Sequence, residues 1–403
     1  MKIAGIIAEY DPFHNGHAWQ LAAARAAGAQ CIVVCLSTAA TQRGALPLLS
    51  EEARVRAAIG AGADIVLSMP AVYAASGAEQ FARAGVAILA AAGCDTLIFG
   101  AETPKVEQLM GCARALCSPE YEAALGAAMT QGARNFASAR QCVMQQLYPE
   151  AGYGNMLSNP NDNLAIEYCK AIVQQSAPLT PYALPRVGAG HGQSLAVTAG
   201  QYASGSALRK LWENGGVAAI RPYVPTAAYP LYAAAEGAGC YTDWAKVDIA
   251  LLSRLRADVP HGFAAVRGVS EGLEYRLADA VKTAITADGL YDALTTVRYP
   301  RARMRRLCLD AAMRVGGVGA PGGYIQVPPL PPYLHILGGR KEMLGILKGA
   351  RLPVSASLAV LKEKSVQAES VAHSQTVFGD FSSLCMAKPA PMSTSYTKKI
   401  VIF

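Results

Sequence analysis

No Cys-x-x-Cys pair occurs among the ten cysteines of this 403-residue chain, and its six histidines are scattered except for His14 and His17. A protein-held zinc needs ligands in a tight local pattern, so no dedicated metal site is expected, and thiols in apolar runs such as Cys31-Ile32-Val33-Val34-Cys35 read as buried. Charge is sparse as well, at 16% of residues against 52% hydrophobic, which excludes a disordered chain, and the many alanines favour helix. No run of 18 or more residues is apolar enough to span a bilayer, and Ile3–Ala8 is too short for the core of a signal peptide. The expectation is a folded cytoplasmic protein with no membrane partner, long enough for two ordinary domains.

What the chain does have is concentrated at its start. An apolar strand, residues 2–8, runs into Glu9-Tyr10-Asp11-Pro12-Phe13-His14-Asn15-Gly16-His17 and then into a helix-like segment. This order sets two imidazoles beside helix N-terminal amides, where exposed N–H groups and the macrodipole favour an anionic phosphate. Gly16, without a side chain, would let a purine or ribose approach the backbone.

Strand candidates at 2–8, 30–36, 64–67 and 95–99 alternate with helix-like segments at 18–27, 50–60 and 78–92. That alternation predicts an α/β fold, a Rossmann-like parallel sheet covered on both faces, with ligands at the carboxyl ends of its strands, where His14, Gly44 and Gly100 fall. Residues 104–146 read as a helical insertion. Gly188-Ala189-Gly190-His191-Gly192 reads as a further flexible loop near an anionic ligand. After Gly215-Gly216 helices dominate, at 242–256, 270–287, 303–315 and 341–348, and residues 377–403 read as loop with a short apolar end. The division is a domain of residues 1–215 and a smaller, mainly helical one of 216–403.

The segment Glu9–His17 resembles the Glu-Tyr-Asn-Pro-Phe-His-Asn-Gly-His start of the bacterial tRNA(Met) cytidine acetate ligase family, nucleotidylyltransferases with the His-x-Gly-His motif. Further matches follow in order: Gln42-Arg43-Gly44, Gly62-Ala63-Asp64-Ile65-Val66, Phe99-Gly100-Ala101-Glu102, Pro160-Asn161 with Leu164-Ala165-Ile166-Glu167-Tyr168, and Arg186-Val187-Gly188-Ala189-Gly190. Ser204-Gly205-Ser206-Ala207-Leu208-Arg209 is similar to the superfamily's Ser-Ser-Thr-x-x-Arg signature. The resemblance implies ATP as cofactor, bound along Ile7, Ala8, Glu9, Tyr10, Phe13, His14, Gly16, His17 and Gln20 and at Gly100, Asn161 and Arg186. It gives catalytic roles to His14, His17 and Arg209, the arginine neutralising departing pyrophosphate. Magnesium would arrive with the triphosphate and leave little trace in sequence. The implied reaction joins acetate to the wobble cytidine of elongator tRNA(Met) through acetyl-adenylate, with no protein nucleophile.

Charge separates the halves. Residues 1–215 carry 14 basic and 15 acidic side chains, and the remainder 22 and 14. A near-neutral half joined to a basic one suits a small-molecule site with a polyanion platform, and the resemblance implies that the polyanion is tRNA and not DNA. The densest cluster is Arg298, Arg301, Arg303, Arg305 and Arg306. Helical spacing puts Met304, Leu307, Cys308 and Ala311 on one face, and the arginines are expected exposed, as tRNA contacts, with Arg43 a further phosphate or acid ligand. The chain departs from the family's pattern at Asp11, Ser50-Glu51, Ser68 and His335, around the expected acid and phosphate pocket. Two other readings stand beside the ligase: a small-molecule nucleotidylyltransferase, which shares the motif but leaves the basic half unexplained, and a catalytically weakened tRNA-binding paralogue.

Overall fold

The computed structural model describes residues 2–133, 135–186 and 202–403. Its centre is one eight-stranded sheet: β1 (Ile3–Ala8), β2 (Cys31–Ser37), β3 (Ile65–Met69), β4 (Thr96–Ala101), β5 (Thr180–Pro185), β6 (Leu334–Gly339), β7 (Val354–Ser355) and β8 (Val401–Ile402). The order is β5-β4-β1-β2-β3-β6-β7, with β8 also on β6. The first five strands run parallel, and β6 joins β3 antiparallel.

The near-continuous apolar runs of β1 to β3 follow from cover on both sides. Cys31, Val33, Cys35, Ile65 and Leu67 enter one core, while Ile32, Val34, Leu36 and Val66 enter the other. Between strands run the expected helices Asn15–Ala26, Glu51–Gly60 and Ala78–Ala91. The helical insertion is there too, as Val106–Ala115, Pro119–Thr130 and Phe136–Leu147.

After residue 216 the chain is mainly helical, yet the sheet does not stop at that boundary. β6 and β8 complete it from the far end of the sequence, because β3 would otherwise be a bare edge with unpaired N–H and C=O groups. The terminal stretch read as loop is likewise structural. Helix Val366–Leu384 includes its first part, and buried Gln375 takes the Ala71 N–H (3.2 Å) and donates to Thr38 Oγ1 (2.8 Å). The segment read as one helix over 270–287 breaks into Leu273–Thr283 and Ala287–Leu294, where Thr286 Oγ1 caps the second by accepting from Gly289 N–H (3.1 Å). The segment 341–348 forms a 3-10 turn, Leu344–Gly349.

Arg54, 1% exposed, ties the strand ends together. It donates to the carbonyls of Leu49 (3.2 Å), Glu9 (2.9 Å), Ser37 (2.7 Å) and Thr38. Burial lowers its pKa, and the charges of Asp11, Glu51 and Glu9 oppose that shift. Truncating it would strand four buried acceptors. Arg54→Met is expected to destabilise the fold by about 3–5 kcal/mol, read as a lower urea midpoint at unchanged slope.

Candidate active site

β1 ends in a turn whose backbone is unusual. Tyr10 has φ +49, and its ring, 1% exposed, packs edge-on against Phe13 and tilts against His17. A bulky residue in the left-handed region marks a turn held by its surroundings. The turn delivers the chain to His14, which caps helix Asn15–Ala26.

The two motif imidazoles hold each other and the helix start. His14 Nδ1 accepts from the Gly16 N–H (3.0 Å), and His17 Nδ1 accepts from the His14 N–H (3.3 Å), with the rings stacked at 3.8 Å. Each Nδ1 is therefore an acceptor, so the neutral rings carry their proton on Nε2 and present it as a donor. Burial and the Arg186 charge lower the His14 pKa to about 4, and burial, His14 and Arg186 lower that of His17. Both rings are neutral at neutral pH.

Gly16 lines the cleft and is also fixed by packing. A Cβ there would meet His14 Cε1 at 2.9 Å and Tyr202 Cβ at 3.2 Å, so the space is filled by the protein's own rings. At Gly100 a Cβ would meet nothing within 4 Å, so the backbone there borders open space at the cleft.

These groups line a cleft of about 610 Å³ at the carboxyl end of the sheet. Ile7, Ala8, Glu9, Tyr10, His14, Gly16, His17 and Gln20 form one side. Gly100, Asn161 and Arg186 form another, and Arg43, Arg209 and Arg306 also reach it. Phe13 does not. It lies beneath, 0% exposed, with its carbonyl accepting from Tyr232 Oη (3.0 Å), and supports the histidines from the core.

Sequence reasoning missed the braces around the cleft. Glu102 accepts from the N–H groups of Asn161 (3.4 Å) and Asp162 (2.7 Å) and from the Asn161 side chain, while Asp162 accepts from Thr103 N–H (2.7 Å) and Oγ1 (2.8 Å). This box ties the end of β4 to helix Pro160–Gln175. Glu9, its pKa raised by burial against the opposing Gln42 N–H, accepts that N–H at 2.6 Å and so fixes the 42–44 loop. Trp19 and Tyr202 also line the cleft, their rings 6.5 Å apart. Only the fold joins residues so distant in sequence.

The arginines are not the exposed row that helical spacing predicted. Met304, Leu307, Cys308 and Ala311 are buried as expected, but Arg301, Arg303, Arg305 and Arg306 on helix Arg301–Ala312 are all half-buried. Arg301 pairs with Asp288 (2.7 Å) and Asp292, and Arg305 with Asp288 (3.5 Å), both over the Tyr291 ring. Arg303 stacks on Tyr299 at 4.8 Å, and Arg298 pairs with Glu271 (2.6 Å). The protein's own acids and rings draw these side chains down, which spacing on one helix does not reveal.

The departures are also dispersed. Asp11 lines the cleft and pairs with Arg209, which donates to its carboxylate (3.0 Å) and its carbonyl (2.7 Å). Ser50, Glu51, Ser68 and His335 do not line it. Ser50 caps helix Glu51–Gly60, and Glu51 pairs with Lys398 (3.3 Å). Burial would raise the Glu51 carboxyl, but Lys398, His335 and Arg54 together hold it low. The loop 188–192 lies outside the described residues. Among the described residues no group of three or more metal-ligating side chains forms.

A parallel sheet carrying a His-x-Gly-His turn at its carboxyl edge, with guanidinium groups around the same cleft, defines a nucleotidyl transferase site. A family model described as HIGH Nucleotidyl Transferase matches residues 1–390. The tRNA(Met) cytidine acetate ligase of Latilactobacillus sakei is 32% identical over 89% of this chain and 88% of its own length, and that of a Geobacillus species is 29% identical over 91% of each. Thermotoga maritima TmcAL, in its crystal structure bound with alpha-thio ATP, superposes with a TM-score of 0.88 at 23% identity over the whole of both chains. The chain belongs to the tRNA(Met) cytidine acetate ligase family of HIGH nucleotidyl transferases.

Neutral, half-buried histidines carry a pH signature. Between pH 6.5 and about 4 the unfolded chain protonates His14 while the folded one does not, so the unfolded state binds more protons and stability falls as pH drops through that window. The urea midpoint is expected to fall less from pH 7 to pH 4.5 in His14→Asn, whose side-chain oxygen still accepts from Gly16 but does not titrate.

Proposed function

We propose that this protein is a ligase that uses ATP to join acetate to the N4 of the wobble cytidine of elongator tRNA(Met), acting in the cytoplasm. The observation that carries the reading is the pair of neutral imidazoles lining the cleft at the N-terminus of helix Asn15–Ala26, each with its Nδ1 engaged by the backbone so that Nε2–H is its donor. Such donors suit phosphate oxygens, and being held by the backbone they need no reorganisation as charge develops.

In the first step an acetate oxygen attacks the α-phosphorus of ATP and the bond to the β-phosphate oxygen breaks, giving acetyl-adenylate and pyrophosphate. His14 and His17 donate to phosphate oxygens, with Gly100, Asn161 and Arg186 holding the nucleotide. Arg209 takes charge on the pyrophosphate, for which that anion competes with Asp11. Magnesium travels with the triphosphate. In the second step the cytidine N4 attacks the acetyl carbonyl, AMP leaves, and the amine loses a proton. The acyl-adenylate is already activated, so positioning and exclusion of water carry the chemistry.

We assign ATP binding to residues 1–215 and most of the tRNA surface to 216–403. Pairs open to solvent, such as Arg298–Glu271 and the half-buried Arg301 with exposed Asp288, contribute little to stability, so RNA phosphates can take the arginines from their acids.

The test is mass spectrometry of nucleosides from unmodified elongator tRNA(Met) incubated with protein, ATP, magnesium and acetate. N4-acetylcytidine that disappears without acetate supports the reading, and its absence with a folded, tRNA-binding preparation refutes it. His17→Ala should cost at least about 2 kcal/mol in kcat/KM for ATP, because a preorganised donor is lost at a charged centre. Unchanged turnover would remove His17 from the chemistry.

A further inference from the structure

Arg306 reaches the cleft from the second half of the chain, and its charge is unspent. Among the described residues its guanidinium makes one hydrogen bond, Nη1 donating to the Gln42 carbonyl at 3.0 Å, and no carboxylate pairs with it. The nearby Asp310 is taken by Arg267 through both oxygens, at 2.8 and 2.9 Å. Burial lowers the Arg306 pKa, Asp310 opposes that, and Arg267 and Arg303 add to it. Among the described residues the other N–H donors of this half-buried guanidinium have no protein partner, and none of them is sealed from solvent, so they are open to a ligand in the cleft.

Its placement is braced from both sides. Gly44, at φ +73, packs so closely on the arginine helix that a Cβ would lie 2.5 Å from the Arg306 amide nitrogen, and Glu9 holds the neighbouring Gln42. The Gln42-Arg43-Gly44 loop therefore fixes Arg306 at a cleft whose other members include the two motif histidines.

We propose that Arg306 binds an oxyanion of the second substrate, the species that meets ATP or its adenylate, rather than ATP itself. The shared chemistry is a pair of anionic oxygens facing a planar fork, supplied by the carboxylate of the acyl donor or by a phosphodiester beside the target cytidine. The proposal rests on the ligase reading above.

The test compares Arg306→Gln and Arg306→Lys with the parent full-length protein. Acetate-dependent exchange of labelled pyrophosphate into ATP is measured without tRNA, and tRNA binding and acetyl transfer separately. Loss of a charged bidentate contact should weaken one second substrate by about 10-fold or more in the Gln variant, with partial recovery in Lys and unchanged ATP KM. A raised acetate KM in the exchange assigns the carboxylate. Unchanged exchange with weaker tRNA binding assigns the phosphodiester. No change in either, or a raised ATP KM, overturns the proposal. So does a lowered unfolding midpoint accompanied by an equal loss of every activity. If the parent protein shows no acetate-dependent exchange yet binds tRNA, the ligase reading falls while the tRNA comparison still decides the role of Arg306.

Discussion

The nucleotide site depends on a buried cation that never touches the cleft. Arg54 collects the carbonyls where β1 and β2 end and where helix Glu51–Gly60 begins, so three chain segments leave the sheet from one fixed point. Backbone carbonyls at strand ends have no ladder partner, and in a core closed to water each must find a donor. A guanidinium supplies several donors in one plane, which a lysine would not. The bond to the Glu9 carbonyl matters most, because the following residues make the turn that aims His14 and His17.

Charge around that point is balanced by distance rather than by direct pairing. Asp11 and Glu9 face Arg54 electrically, while Asp11 bonds Arg209 and the Leu48 N–H (2.6 Å), and Glu9 bonds Gln42. One aspartate thus serves two arginines, one buried and one at the cleft. An asparagine at that position could still accept from the Leu48 N–H through its one oxygen, but it would turn an amide donor toward Arg209, so the substitution changes how Arg209 is held. Neutral histidines belong to the same balance of charge: they are donors that add nothing to the positive potential that Arg43, Arg186, Arg209 and Arg306 already supply at the cleft.

Much of this was legible in the sequence because it is local. The first four strands, the His-x-Gly-His turn and its helix each lie within about a dozen consecutive residues, where hydrophobic period and capping chemistry speak directly. β5 and β6 were missed because their character comes from neighbours: β5 is a half-exposed edge strand with two prolines, and β6, Leu334–Gly339, is short and glycine-ended. Phe13 was misread as a contact because motif membership does not say which way a ring points. The departures at Ser50, Glu51, Ser68 and His335 read as close to the phosphate pocket, whereas none of the four lines the cleft, and Glu51 and His335 instead feel Lys398 from the far end of the chain.

The arginine cluster shows most clearly why composition and function part ways. A run of five arginines reads as one basic surface, yet their partners sort them into different kinds. Arg298, Arg301 and Arg305 are held by carboxylates and Arg303 lies on a tyrosine, so their charge is available only by exchange. Arg306 alone among them turns to the cleft, because residue 306 faces the loop that Glu9 and Gly44 dock against its helix. The same docking joins the basic half of the chain to the motif turn, through Arg306, Gln42 and Glu9, and Arg54 anchors the carbonyl of that same Glu9. A single residue of the motif is therefore gripped from both sides, its backbone by the buried cation and its carboxylate by the loop. The two halves of the chain cannot be treated as a catalytic unit with a separate RNA platform attached, since the wall of the cleft is built by both.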